Sequence, residues 1–257
     1  MKTSSPQQPP AQKPVSVLPV VPLFSGRRMF MRYAGVATAT GLVMSACTNT
    51  LIPEPLAGPG GGSTANARIG DVIDLGSGDI GVLNYAYALE QAELRFLELV
   101  TDNFYDNATE VEKQVFIELR NQEITHREFF KKVLGSYAIP TLTLDYSSVN
   151  FRNRDSVLDT AMAFADLATS AYNGAGQLLS NATNLAISGI IVSVEARHAA
   201  AVRELRYPNT TSFAGDDVID PVTGLEVARL PNEVVPIASK FIKETLSTAN
   251  LPSPMTA

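Results

Sequence analysis

The sequence predicts an all-α fold: a four-helix bundle with a long crossover between helices 2 and 3 and a short C-terminal helix. Three observations carry that expectation. Apolar residues recur at three- and four-residue steps in four successive segments. No stretch sustains the period-two alternation of a half-buried strand. The second and third segments are separated by a link long enough to travel the length of a bundle, and an antiparallel bundle is the simplest way to pack four such helices.

The first segment runs from Ile80 to Val100, with Leu83, Ala86, Leu89 or Glu90, Glu93 and Leu97 recurring along one face. The second, Ala108 to Leu134, carries Val115, Leu119 and Phe129 or Phe130 on its apolar side, and Gly135 is placed to end it. The third, Ser156 to Leu179, is rich in alanine. The fourth, Asn181 to Leu205, stops before Pro208, which has no N–H to continue a helix. The link from Ser136 to Arg154 includes Thr141-Leu142-Thr143-Leu144, which has the composition of a short strand. Residues 207 to 232 read as a turn-rich loop, and Asp216, Asp217 and Asp220 within it as solvated turn residues rather than a calcium site. Glu233 to Leu246 is expected to be a terminal helix packed on the bundle.

The 257 residues suffice for one or two domains with a sizeable core. A formal net charge of −6 with no basic stripe argues against nucleic acid as a partner. The single cysteine rules out an internal disulfide.

That cysteine closes an N-terminal address. Residues 1 to 26 are rich in Pro and Gln and have no hydrophobic period. Gly26-Arg27-Arg28-Met29-Phe30-Met31-Arg32 then resembles a twin-arginine export signal. The uncharged run from Tyr33 to Ala46 is too short to cross a bilayer as a helix, which takes roughly 20 residues, and suits the core of a signal peptide. Met44-Ser45-Ala46-Cys47 resembles a lipobox. These resemblances imply a signal peptide over residues 1–47 read through Arg27 and Arg28. They also imply a lipid anchor on Cys47 and a location on the periplasmic side of the cell envelope. Thr48 after the cysteine resembles lipoproteins sent to an outer membrane in a Gram-negative host. Residues 48–77, with Pro53, Pro55, Pro59 and Gly60-Gly61-Gly62, read as a flexible tether, leaving 78–257 as the folded part.

The chain has only two histidines, and each has a Glu three residues before it: Glu123 with His126, and Glu195 with His198. Three-residue spacing on a helix puts carboxylate and imidazole on one face, so each pair can address a common point. The pairs fall on the second and fourth segments. This is the spacing of di-iron carboxylate bundles, which add one Glu from each remaining helix. Glu90 is favoured as the first helix's contribution, with Glu93 as the alternate. Carboxylate and imidazole donors suit iron, manganese or zinc, and thiolate metals are excluded by the cysteine count.

Asn84-Tyr85-Ala86-Tyr87-Ala88-Leu89-Glu90-Gln91-Ala92-Glu93 resembles the opening helix of the bacterial ferritin-like domain family, which includes plant desiccation-related proteins. Glu123-x-x-His126-x-x-Phe129-Phe130, Ala171-Tyr172-Asn173-Gly174-Ala175 and Ser193-Val194-Glu195-Ala196-Arg197-His198 resemble its second, third and fourth helices. The resemblance spans about residues 78 to 206. It implies a ferritin-like bundle with iron or manganese as cofactor, two ions being possible. It also implies oxidase or peroxide-handling chemistry on small oxidants, or stress protection without turnover. The third helix departs from the pattern: the family's Glu, seven residues before the Tyr, is Ala165 here, with Asp166 beside it as the candidate replacement ligand. If Asp166 does not serve, the metal site is incomplete, and a stress-related or interaction lipoprotein using the bundle as a scaffold is the alternative.

Overall fold

The computed structural model describes residues 68–254. The export signal with Arg27 and Arg28, the lipobox Cys47 and the tether up to residue 67 lie outside the described residues. Along the chain come β1 (Val72–Asp74), α1 (Gly78–Asp102), α2 (Glu110–Leu134), α3 (Arg154–Gly176), α4 (Ala182–Arg206), α5 (Pro231–Ala238) and β2 (Thr245–Ser247).

The four long helices begin and end where local chemistry directs. Thr109 and Glu112 cap α2 reciprocally, each side chain meeting the other's backbone N–H. Asn153 caps α3 by accepting from Ser156 N, and Asn181 caps α4 by accepting from Thr183 N and Asn184 N. Gly135 ends α2 with φ at +54°, a conformation that costs glycine little. At the start of α1, Asp79 accepts from Ser180 N, Ser180 Oγ, Asn181 N and Asn184 Nδ2, which pins that end to the α3–α4 turn.

Two apolar clusters give the topology. One gathers Val82 to Leu89 of α1, Phe130 and Val133 of α2, Ala171 and Ala175 of α3, and Ile187 and Ile191 of α4. The other gathers Phe96 and Val100 of α1, Phe116 and Leu119 of α2, Val157 and Leu158 of α3, and Val202 of α4. Helix α1 therefore runs from the first cluster to the second, α2 and α3 both run back, and α4 runs out again. Parallel α2 and α3 require a connection along the whole bundle, and residues 135 to 153 supply it.

That crossover is held by polar side chains of α1 two helical turns apart. Asn84 Nδ2 donates to Tyr137 O at 2.9 Å and to Leu75 O at 3.0 Å, while its Oδ1 accepts from Ile139 N. Gln91 Oε1 accepts from Leu142 N at 2.9 Å. Further along, Tyr146 OH donates to Ala92 O and its ring stacks on Phe241. Leu144 makes a single antiparallel bridge with Ile242, so the strand-like stretch 141–144 is no independent strand. Replacing Asn84 with Leu would leave two carbonyls and one N–H buried without partners. The expected cost is about 1–3 kcal/mol, read as a lower midpoint in chemical denaturation. An unchanged midpoint would show that this rung contributes nothing.

Two expectations need correction. Residues 72–77 are part of the fold rather than of a tether: β1 pairs in parallel with β2, Val72 opposite Thr245, and Leu75 is fully buried. The terminal helix is α5 alone, eight residues long. Beyond it Glu244 accepts from Thr143 N and the chain extends into β2, because partners on the crossover and β1 outweigh local helical preference.

Helix α4 is the one described helix long and apolar enough by composition to cross a membrane. Ile187, Ile191, Glu195, His198 and Val202 nevertheless bury one face of it in the bundle.

Candidate metal centre

Between the two apolar clusters lies a polar layer at the waist of the bundle. It is made by Glu90 and Glu93 of α1, Glu123 and His126 of α2, and Glu195 and His198 of α4, all buried. Each helix delivers its residues at three-residue spacing, so one face serves both apolar clusters and the polar layer between them.

The two Glu-x-x-His pairs face each other reciprocally. His126 Nδ1 lies 2.8 Å from Glu195 Oε1 and 3.4 Å from Glu123 Oε2. His198 Nδ1 lies 2.9 Å from Glu123 Oε1 and 3.4 Å from Glu195 Oε2. The imidazole centroids are 6.2 Å apart. Donor atoms of Glu90, Glu123, His126 and Glu195 all fall within 4.8 Å of one another.

Short distances here are not matched by hydrogen-bond alignment. Glu90 Oε2, Glu123 Oε1, both Glu195 oxygens and the Nδ1 atoms of His126 and His198 are buried without a hydrogen-bond partner. Buried polar atoms are rarely left so, because each costs the desolvation of a polar group. Six such atoms converging on one layer fit the donor set of a metal ion, in which lone pairs point at a shared cation rather than at each other.

The electrostatics agree. Burial, then the Glu123 charge, pushes the Glu90 carboxyl well above the usual carboxylate range. Burial does the same to Glu93, followed by the charges of Glu123 and Glu195, with His198 opposing. Burial would also raise Glu123, but His126 and His198 outweigh it and hold that carboxyl far below its ordinary value. Burial would lower both imidazoles; Glu123 and Glu195 win instead and raise His126 to about 9 and His198 to about 10.

Two flanking groups were not legible as site residues. Tyr172 of α3 donates its buried hydroxyl to Glu90 Oε1. Gln122 Oε1 lies 3.0 Å from His198 Nε2, which leaves Nδ1 as the ring atom facing the carboxylates. Tyr172 stood in a recognised motif but without a role, and nothing local distinguishes Gln122 from a surface residue of α2.

Asp166, the expected third-helix replacement ligand, is committed elsewhere. Its Oδ1 and Oδ2 accept from Arg203 Nε and Nη2 at 2.8 and 2.7 Å. Arg203 is itself buried and also bonds Asp217 and Ser212 O, tying α3 and α4 to the loop beyond. A bidentate guanidinium pair satisfies both oxygens of Asp166, so this α3 residue is tied to Arg203 of α4 rather than joining the Glu/His layer. Asp159 is likewise paired, with Arg206.

Beside the layer, Leu89, Phe130, Ala171 and Tyr172 help line an apolar cavity of about 20 Å³. That is room for a molecule the size of water or dioxygen and for little more.

A family model described as a ferritin-like domain matches residues 78–208, the span from the start of α1 to just past α4. No curated protein matched the chain.

Proposed function

We propose that this chain, which belongs to the ferritin-like domain family, holds iron or manganese at the waist of its bundle and serves redox or protective chemistry toward small oxidants. The observation that carries this reading is the convergence of six buried, unpartnered donor atoms from Glu90, Glu123, His126, Glu195 and His198. Oxygen and imidazole donors without thiolate suit those two metals. Such an ion, when bound, supplies one-electron exchange with dioxygen, peroxide or ferrous iron.

The chain's own residues do the rest. His126 and His198 each offer a neutral nitrogen after losing a proton. Glu123 and Glu195 each turn one oxygen to either imidazole, which suits them to span the layer. Tyr172 fixes the rotamer of Glu90, and Gln122 that of His198. Leu89 and Phe130 keep bulk water away, and the size of the adjoining cavity favours small oxidants over organic substrates. Elemental analysis of protein purified from its native envelope, followed by anaerobic ferrous titration and admission of oxygen or peroxide, tests this. Stoichiometric iron or manganese is expected. Protein that is metal-free and takes up neither ion on titration would overturn the reading.

The same proposal places the protein on the periplasmic side of the envelope. It would be exported through Arg27 and Arg28 and anchored by lipid on Cys47, with outer-membrane sorting if the host is Gram-negative. Its support is the order of paired arginines, apolar run and Ser45-Ala46-Cys47. Intact mass of the membrane-extracted protein is expected to show loss of residues 1–46 and a lipid adduct. A soluble species retaining Met1 would refute it.

A second reading, a stress-related or interaction lipoprotein without turnover, is favoured by one observation: Asp166 of α3 is held by Arg203 instead of joining the layer. Ferrous oxidation by the loaded protein separates the two.

A further inference from the structure

Carboxylate-bridged bundles draw one terminal Glu from each of two helices, and α3 here sends no carboxylate into the layer. We infer that α1 supplies both: Glu90 serves an ion beside His126, and Glu93 serves a second ion beside His198, in place of a ligand from α3. The inference rests on the metal reading above and specifies how the site is completed.

The first support is burial. Glu93 is 7% exposed, yet no cation pairs with it among the described contacts. A buried Glu is rare unless paired or coordinating. The second is direction. Glu90 and Glu93 stand three residues apart, on one face of α1 about 4.5 Å apart along its axis. Glu90 Oε2 lies 3.8 Å from His126 Nδ1. Helices α1 and α4 both run from the first apolar cluster to the second, while α2 runs back. Glu93 and His198 therefore each lie one turn nearer the second cluster and His126 one turn nearer the first, which puts Glu93 at the level of His198.

The third support is the reciprocal geometry of the bridging pair. Glu195 gives Oε1 to His126 and Oε2 to His198; Glu123 gives Oε2 to His126 and Oε1 to His198. Two carboxylates that split their oxygens between two imidazoles define two positions, not one. Each position then has one imidazole, one oxygen from each bridge, and one terminal carboxylate, provided that Glu93 fills the second. The Asp166 charge also reaches Glu93, but the Asp166 oxygens are held by Arg203.

The test is anaerobic manganese titration of the purified protein, with ions counted by elemental analysis after desalting. Electron paramagnetic resonance distinguishes spin-coupled from isolated manganese. The parent is expected to bind two ions that couple. Glu93→Gln and His198→Gln are each expected to lose the same ion, weakening it at least ~10-fold and leaving an isolated-manganese signal. Combining the two should cost nothing further in stoichiometry. Asp166→Asn is expected to retain two coupled ions. Two coupled ions of parental affinity in Glu93→Gln, loss of an ion in Asp166→Asn, or a parent that binds a single ion would each overturn the assignment of Glu93. A parent that binds none overturns the metal reading itself, so the two failures are told apart. Circular dichroism of each variant verifies the helices, and agreement between Glu93→Gln and His198→Gln guards against misfolding of either one.

Discussion

Protein carrying His126→Ala together with His198→Ala is expected to bind neither iron nor manganese stoichiometrically while keeping its helical content. These are the only histidines in the sequence, so no other imidazole can take their place. Outer-shell changes around metal ligands already cost ten- to a hundredfold in affinity, and loss of both nitrogen ligands costs more. The fold is expected to survive because the two apolar clusters on either side of the layer are untouched. Removing the imidazoles strips Glu123 of the partners that hold its carboxyl down, and in their absence burial favours its protonated form rather than an isolated buried charge. Calorimetric titration with manganese, alongside circular dichroism, reads both halves. If the folded double variant binds these ions as tightly as the parent, the layer is no metal centre and the bundle is a scaffold.

Metal-free protein is expected to be most heat-stable in mildly acidic solution and to weaken as the pH rises toward 9 and 10. His126 titrates near 9 and His198 near 10 in the folded state, against 6.5 when unperturbed. Their contribution is therefore fully present below 6.5 and lost as the pH climbs through those higher values. Glu90 and Glu93 push the same way: the folded state keeps protons that the unfolded chain gives up above 4.5. Glu123 acts oppositely, its contribution being present above 4.5 and lost in stronger acid. The optimum thus falls near 4.5, where the contribution of Glu123 is complete and those of Glu90 and Glu93 begin to be lost. A bound cation removes this dependence by replacing the protons, and at a thousandfold excess over Kd it adds about 4 kcal/mol. The gain in melting temperature on adding manganese is therefore expected to widen from pH 6 to pH 9, with protons released to an indicator dye as the ions enter. A metal-free melting temperature that rises between pH 6 and pH 9 would contradict the charge assignment.

What could be read in the sequence was whatever repeats along a helix. The periodicity located α1 to α4 within two or three residues at nearly every end, and Glu123-x-x-His126 and Glu195-x-x-His198 were visible because three-residue spacing is itself a structural statement. What depends on partners distant in sequence was not legible. Asp166 reads as an inward-facing candidate until Arg203, 37 residues away, is seen to hold it. Asn84 and Gln91 look like ordinary helix residues, although they carry the crossover. The pairing of Val72–Asp74 with Thr245–Ser247 joins segments at opposite ends of the fold, and nothing in either stretch announces the other. Gly174, part of a recognised motif, proves to be structural: a Cβ there would lie 1.9 Å from the Arg229 carbonyl oxygen, so only glycine lets that loop cross α3.

The division of the waist between the two helical hairpins has a kinetic consequence. Glu90, Glu93, Glu123 and His126 belong to the α1–α2 hairpin, whereas only Glu195 and His198 come from α3–α4. An ion shared across that boundary is a cross-link between two units that are each local in sequence. A chain with one cysteine has no internal disulfide to do that work. Because the donors are buried between apolar layers, a bound ion would resist the parting of the hairpins, and the docked hairpins would slow its exchange. Opening of the docked bundle is then expected to be slower in metal-loaded than in metal-free protein, a difference that hydrogen exchange in α3 and α4 would register as a lifetime.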